Sequence, residues 1–347
     1  MCEVTSGNDG RIMQPTAPRG PLSEWVTSRF RDVPGTQGPP PPSLPRGIDP
    51  LTDDDLHLAL FLCDELQFGG IEGVDDAWGW DPGLIAARAA LEAPFESALR
   101  RAAAAVPPVA PGPIDARLRE VLGLDDGPSV ARFLERDGTE GQVREFLMHR
   151  SAYQLREADP HTFGIPRIAG AAKAALVEIQ ADEYGGGDPA WMHAGLFATT
   201  MRAFGLDDAF GAYVERLPGS TLAWVNLMSL FALHRRLRGA LVGHLAAFEM
   251  TSCIPNRRYG NALRRLGFGA EATGYFDEHV EADAVHEAIA ANDLAGSLVA
   301  AEPALEDDVL FGARALLLTE ATFARHLIDA WAQERSSLRD LAVPTAA

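Results

Sequence analysis

Apolar residues return every three or four positions along most of this chain, so one side of each segment can be buried while the other faces water. No stretch of useful length alternates as a strand would. The pattern begins only after residue 50. Before it, Gln14-Pro15, Pro18-Arg-Gly-Pro21 and Gly38-Pro-Pro-Pro-Pro-Ser-Leu-Pro45 resist helix and offer little to bury, which predicts a disordered or extended arm; a proline-rich ligand for a partner domain is the alternative. At Leu51-Thr52-Asp53-Asp54-Asp55, Thr52 suits a cap and the acids suit a helix start, so a helix over 56–66 opens the folded part. Asp81-Pro82 starts an alanine-rich helix to about Ala105, and two short helices are expected in 114–136. A helix from Gly138 to about Asp159 is ended by Pro160. Ala169 to Glu183 is a second, stopped by Gly185-Gly-Gly187, and Asp188-Pro189 starts a third that carries His193 to Phe204. Leu206–Arg216 reads as a short helix. Ser220–Arg235 is apolar nearly all round and so central, and Ala240–Thr251, the segment around 275–287, a short pair in 287–302 and Leu305–Arg335 complete an all-α pattern.

Composition narrows the function classes. The 347 residues are 47% hydrophobic, enough for a sizeable core in one large domain or two smaller ones. A formal charge of -19 speaks against a nucleic-acid partner and against attachment to anionic lipid. The three cysteines, Cys2, Cys63 and Cys253, have no CxxC spacing, which excludes a disulfide framework and a cysteine zinc site. No run of about 18 apolar residues and no basic-then-apolar leader is present, so a reducing cytoplasm is the expected location. No dinucleotide or P-loop glycine motif occurs.

The richest chemistry lies in Tyr275-Phe-Asp-Glu-His279-Val-Glu-Ala-Asp283-Ala-Val-His286-Glu287. At helical spacing His279, Asp283 and His286 fall within roughly a 60° arc, a strip that suits Fe, Mn or Zn. A solvated acidic face with incidental histidines is the competing reading, because Asp277, Glu278, Glu281 and Glu287 lie here too. Upstream, Glu157 ends one helix, and Glu183 and His193 flank the glycine-rich break. Three histidines and three carboxylates from separate helices match the donor balance of a dinuclear iron or manganese site in a helical bundle. Glu249 sits in an apolar run and needs a cation or donor, so metal ligation and a salt bridge to an arginine within 257–265 are equally open for it. Glu320 and His326, six residues apart, turn to different faces and are expected to be structural or exposed. Arg235, Arg236 and Arg238 could hold a substrate carboxylate but as a charged helix end are expected to pair with acids.

The His279-x3-Asp283-x2-His286 motif, the Arg156-Glu157-Ala-Asp-Pro-His161 helix end, the Asp182-Glu-Tyr-Gly-Gly-Gly187 turn before Met192-His193-Ala-Gly-Leu-Phe197, and Ala247-Phe-Glu249-Met-Thr-Ser252 together resemble the haem-oxygenase-like diiron oxidases, described broadly as iron-containing redox enzymes. The resemblance covers about residues 140–335. It implies a seven-helix haem-oxygenase-like bundle over 138–340, with 51–137 a helical extension packed on it and 1–50 the arm. It further implies two irons shared by Glu157, Glu183, His193, His279, Asp283 and His286, O2 as co-substrate, and a small organic substrate such as an amino acid or amine, in a biosynthetic pathway. An external electron donor and a homodimer are compatible with it. Because six ligands complete that set, Glu249 becomes an outer or salt-bridged carboxylate. Several N-oxygenating members carry a glutamate where this chain has Ala190, which tilts the expectation towards carbon-centred oxidation. The rivals are a metal-free or haem-binding member of the fold, such as the thiamine-degrading and quinone-cofactor-forming relatives, and a non-catalytic helical metal-binding or partner protein.

Overall fold

The computed structural model describes residues 12–340, except the side chains of residues 283 and 284. Fourteen α-helices are described, and among the described residues the only β pairings are two isolated bridges. An outer group comprises α1 (Pro21–Arg29), α2 (Asp54–Glu65), α3 (Pro82–Ala105), α4 (Ile114–Leu122) and α5 (Val130–Arg136). Then come α6 (Glu140–Gln154), α7 (Asp159–Thr162), α8 (Gly170–Glu183) and α9 (His193–Ala203). The last group is α10 (Gly219–Leu233), α11 (Arg238–Arg265), α12 (Ala270–Ala288), α13 (Ser297–Ala301) and α14 (Glu306–Ala332), with a π-helical stretch Ile289–Gly296 between α12 and α13.

Helix α10 is the hub, and its composition explains why. Every residue from Gly219 to Ala232 is buried, as expected of a helix apolar all round. It packs on α2 and α14, while α11 lies against α12 on one side and α14 on the other. Gly243 on α11 and Gly312 on α14 let those two backbones touch: a Cβ on Gly243 would overlap the carbonyl of Val309, and one on Gly312 that of Ala240. Starts are capped as local chemistry dictates. Asp53, one residue after the expected Thr52, accepts from Leu56 N at 2.8 Å; Asp81 accepts from Leu84 N at 2.9 Å; Thr139 and Gln142 form a capping box on α6.

Four elements differ from the sequence reading. The helix expected from Gly138 to about Asp159 ends at Gln154, and Pro160 lies in the first turn of α7 instead of ending a helix. The region expected as an extended arm contains α1, whose Leu22 and Val26 enter the core with Phe30 just beyond its end, and Asp55 accepts Leu22 N and Ser23 N, each at 2.8 Å. Leu206–Arg216 is a series of turns with only a short 3-10 segment, because Asp207 binds Ala209 N, Tyr213 Oη takes Asp207 N, and Gly211 adopts φ +82° against Met13. Helix α11 runs unbroken through Pro255, so the helix expected over Ala240–Thr251 continues to Arg265.

Candidate metal centre

Five elements deliver the buried acids and histidines. Glu157 follows α6 in the turn that leads to α7. Glu183 is the last residue of α8, after which Gly185, Gly186 and Gly187 take positive φ and return the chain to His193, the first residue of α9. A Cβ at Gly185 would press on the backbone of Trp191 and Met192, so this close reversal requires glycine. His279 and His286 lie on one side of α12, and Glu249 faces His286 from α11.

One donor atom each from Glu157, Glu183, His193 and His279 lies within 4.8 Å of the others, all four residues buried. Glu183, Glu249 and His286 form a second such group, so Glu183 belongs to both. The closest approaches are His193 Nδ1 to Glu183 Oε2 at 2.9 Å, His279 Nε2 to Glu157 Oε1 at 3.5 Å and His286 Nδ1 to Glu249 Oε2 at 3.5 Å. Surrounding bonds set the orientations. Tyr275 Oη donates to both oxygens of Glu157, at 2.7 and 2.8 Å. His279 Nδ1 donates to the Tyr275 carbonyl at 2.8 Å and His286 Nε2 to Asp182 Oδ2 at 3.0 Å, which fixes each tautomer with the other nitrogen turned to the acids.

The acids and histidines of the centre shift one another. Burial drives the Glu183 carboxyl up, yet His193, His279 and His286 outweigh it and hold that carboxyl below its ordinary value. Burial lowers His193, and Glu183 more than reverses it. For His286, burial again lowers, but Glu249, Asp182 and Glu183 carry the imidazole to about 9. Among the described residues the partners of Glu157 and Glu183 are phenol and imidazole, with no lysine or arginine paired to either. Buried carboxylates so arranged call for a cation, and mixed carboxylate and imidazole donors suit iron, manganese or zinc. The residues present therefore fit a metal.

Of the residues expected from sequence, Glu157, Glu183, His193, His279 and His286 are brought together here; the side chain of Asp283 lies outside the described residues. Glu249, for which an outer or salt-bridged place was expected ahead of direct ligation, offers an oxygen to the second group. The roles of Tyr275 and Asp182 were not legible, although Tyr275 stands one helical turn before His279 and Asp182 just before Glu183. Nor was the buried pair His161 Nε2 to His244 Nδ1 at 3.1 Å, where burial holds His161 at about 4 and His244 well below its usual range. Glu320 and His326 stay apart: Glu320 pairs with Arg150 at 2.6 Å, and His326 donates to the Ser337 carbonyl at 2.7 Å. Arg236 pairs with Glu96 and Arg238 with Glu302. A cleft of about 870 Å³ lined by Phe68, Phe163, Tyr184 and Phe210 reaches Glu157 and Glu183. No helix among the described residues is long and apolar enough to cross a membrane.

Comparison with known proteins agrees with this chemistry. Nitrosourea synthase of Streptomyces achromogenes subsp. streptozoticus is 26% identical over 179 residues, which is 52% of this chain and 38% of that protein, so the chain spans well under half the length of that relative. A family model described as iron-containing redox enzyme matches residues 144–321, over half of the chain. That segment contains every donor from Glu157 to His286, and the chain belongs to the iron-containing redox enzyme family, with its all-α, haem-oxygenase-like fold.

Proposed function

We propose that this chain is a non-haem diiron oxidase or oxygenase that uses O2 to oxidise a small organic substrate, an amino acid or amine, in a biosynthetic pathway. The observation that carries the reading is the pair of buried donor groups sharing Glu183. Glu157, His193 and His279 would hold one ion and Glu249 with His286 the other, Glu183 standing between them; Asp283, on the same helix as the two histidines, is proposed as a further ligand. Iron bound there would supply the reductive activation of O2.

The protein's own groups supply the rest. Tyr275 donates its hydroxyl proton in hydrogen bonds to both oxygens of Glu157 and so fixes which way that carboxylate faces. Asp182 and the Tyr275 carbonyl hold the protons of His286 and His279 on the sides away from the centre, leaving the inward nitrogens as donors. Tyr153, Phe248 and Leu245 close the space beside Glu157, Glu183 and Glu249 with apolar surface, which keeps bulk water from the reacting groups. The cleft on the other side admits substrate to Glu157 and Glu183.

Ala190, three residues before His193, favours oxidation at carbon, including desaturation or C–C cleavage. N-oxygenation is the second reading, and the name of the nitrosourea-forming relative favours it. Anaerobic Fe(II) loading followed by O2 tests the proposal: about two irons per chain and a transient visible absorption are expected. A chain that takes up no iron overturns it, and two irons with no absorption change on O2 favour metal storage.

A further inference from the structure

The cleft that ends at Glu157 and Glu183 also carries a carboxylate that the metal centre does not use. Asp159 lies two residues beyond Glu157, at the start of α7, and its position is fixed. Tyr184 Oη donates to Asp159 Oδ1 at 2.7 Å; that hydroxyl also meets Thr162 Oγ1 at 3.0 Å, and Gln180 Nε2 donates to Thr162 Oγ1 at 2.6 Å. No arginine, lysine or histidine pairs with Asp159 among the described residues, although it is half-buried.

The other charges of the cleft are accounted for within the protein. Arg156 is the one cationic side chain among the described lining residues. Two bonds of 2.6 Å tie it to Glu65, and Phe210 covers its guanidinium at 3.4 Å from the ring centre. Asp208, at the outer edge, is paired with Arg202. What remains is one anchored carboxylate in a cleft whose apolar wall includes Phe68 and Phe163, which meet edge to face at 5.4 Å and already carry Arg156 and Arg167 over their rings. A half-buried carboxylate with no cationic partner attracts one by charge and by a charge-assisted hydrogen bond. A substrate carboxylate, by contrast, finds no uncommitted cation in this cleft.

We infer that Asp159 binds a positively charged nitrogen group of the substrate, an amine or guanidine, with its chain along the apolar wall and its reacting end towards Glu157 and Glu183. The inference rests on the donor groups being the reacting centre and deepens that reading by assigning the charge of the substrate. It makes Asp159 a specificity residue, and long-chain carboxylic acids the wrong substrates.

Calorimetric titration of the full chain with agmatine, hexylamine and hexanoate tests it, run once with chelator and once with Fe(II) in the absence of O2. Agmatine or hexylamine should bind and hexanoate should not. Asp159→Asn should weaken amine binding by roughly tenfold or more, while Tyr184→Phe, which keeps the carboxylate, should retain binding within a few-fold. Unchanged amine affinity in a folded Asp159→Asn chain, or hexanoate binding as tightly as hexylamine, overturns the inference. If Asp159→Asn does not fold, the comparison of hexylamine with hexanoate on the unmodified chain decides it alone. Because the titration with chelator reads the cleft without iron, a failure to load metal and a failure to bind amine are separate results.

Discussion

Glu249 shows how far a single residue could be read from sequence and where that stopped. Its apolar neighbours announced a buried carboxylate, but whether it faced a cation, an arginine or a histidine depends on which side of α11 meets α12, and no local pattern encodes that. In the structure it faces His286 at 3.5 Å. Glu249→Gln keeps the shape and removes the charge, so bound iron should fall from about two towards one per chain, measured by metal analysis after anaerobic loading. Stoichiometry unchanged from the parent would return Glu249 to an outer role. A second residue-scale prediction concerns His57. Burial lowers it to about 4, and it stays neutral between Pro50 O at 2.9 Å and Asn226 Nδ2 at 3.2 Å. Its unfolded value is about 6.5, so the unfolded chain binds the extra proton as pH falls. The stability it contributes is whole above about 6.5 and lost as pH drops through about 4. Between pH 7.5 and 4.5 the loss should be on the order of 2 kcal/mol from this residue. His57→Gln should flatten the pH dependence of the urea midpoint by that order; an identical profile in the variant would mean His57 is not the group responsible.

At the scale of elements, helices whose own residues fix their ends were legible and those set by neighbours were not. The Asp81-Pro82 start and the glycine stop after Glu183 are local and stand where the pattern places them. Leu206–Arg216 has helical composition, yet Gly211 must turn to let Met13 approach from nearly 200 residues away, and the helix is lost. Pro255 reads as a break, but α11 is packed on both sides and continues across it. The contact of α11 with α14 is the least local feature of all, because Gly243 and Gly312 look like ordinary helix-weakening glycines until their helices meet. Since a methyl at either place would overlap a carbonyl of the other helix, Gly243→Ala should destabilise the chain by about 1–3 kcal/mol, despite the better helix propensity of alanine. Chemical denaturation checks this. A variant as stable as the parent would show that the two helices can move apart without cost.

Across the whole molecule the first and last described segments, from residue 12 and up to residue 340, are drawn onto the core, which the proline content of the first 50 residues concealed. Met13 bridges to Ile71, Asp55 caps α1, and near the other end Ser337 Oγ lies 3.0 Å from His149 Nε2 while Arg339 reaches Asp54 at 2.7 Å. The metal centre sits inside this closed structure, at the junction of α8, α9, α11 and α12. Its buried carboxylates are each held against an imidazole, His193 on Glu183, His279 on Glu157 and His286 on Glu249. Any ion that binds the native chain and not the unfolded one raises the melting temperature, by roughly 4 °C for each site held at a hundred times its dissociation constant in a chain of this size. Mn(II) or Zn(II), which need no O2 chemistry, should therefore raise the melting temperature of the chelator-treated protein, and excess chelator should reverse the rise. Glu183, common to both donor groups, controls the effect: Glu183→Ala should lose more than half of the shift, while Glu320→Ala, outside the centre, should keep it. An equal shift in the Glu183→Ala chain would place the stabilising ions elsewhere on the acidic surface, and the buried donors would then be structural partners of one another.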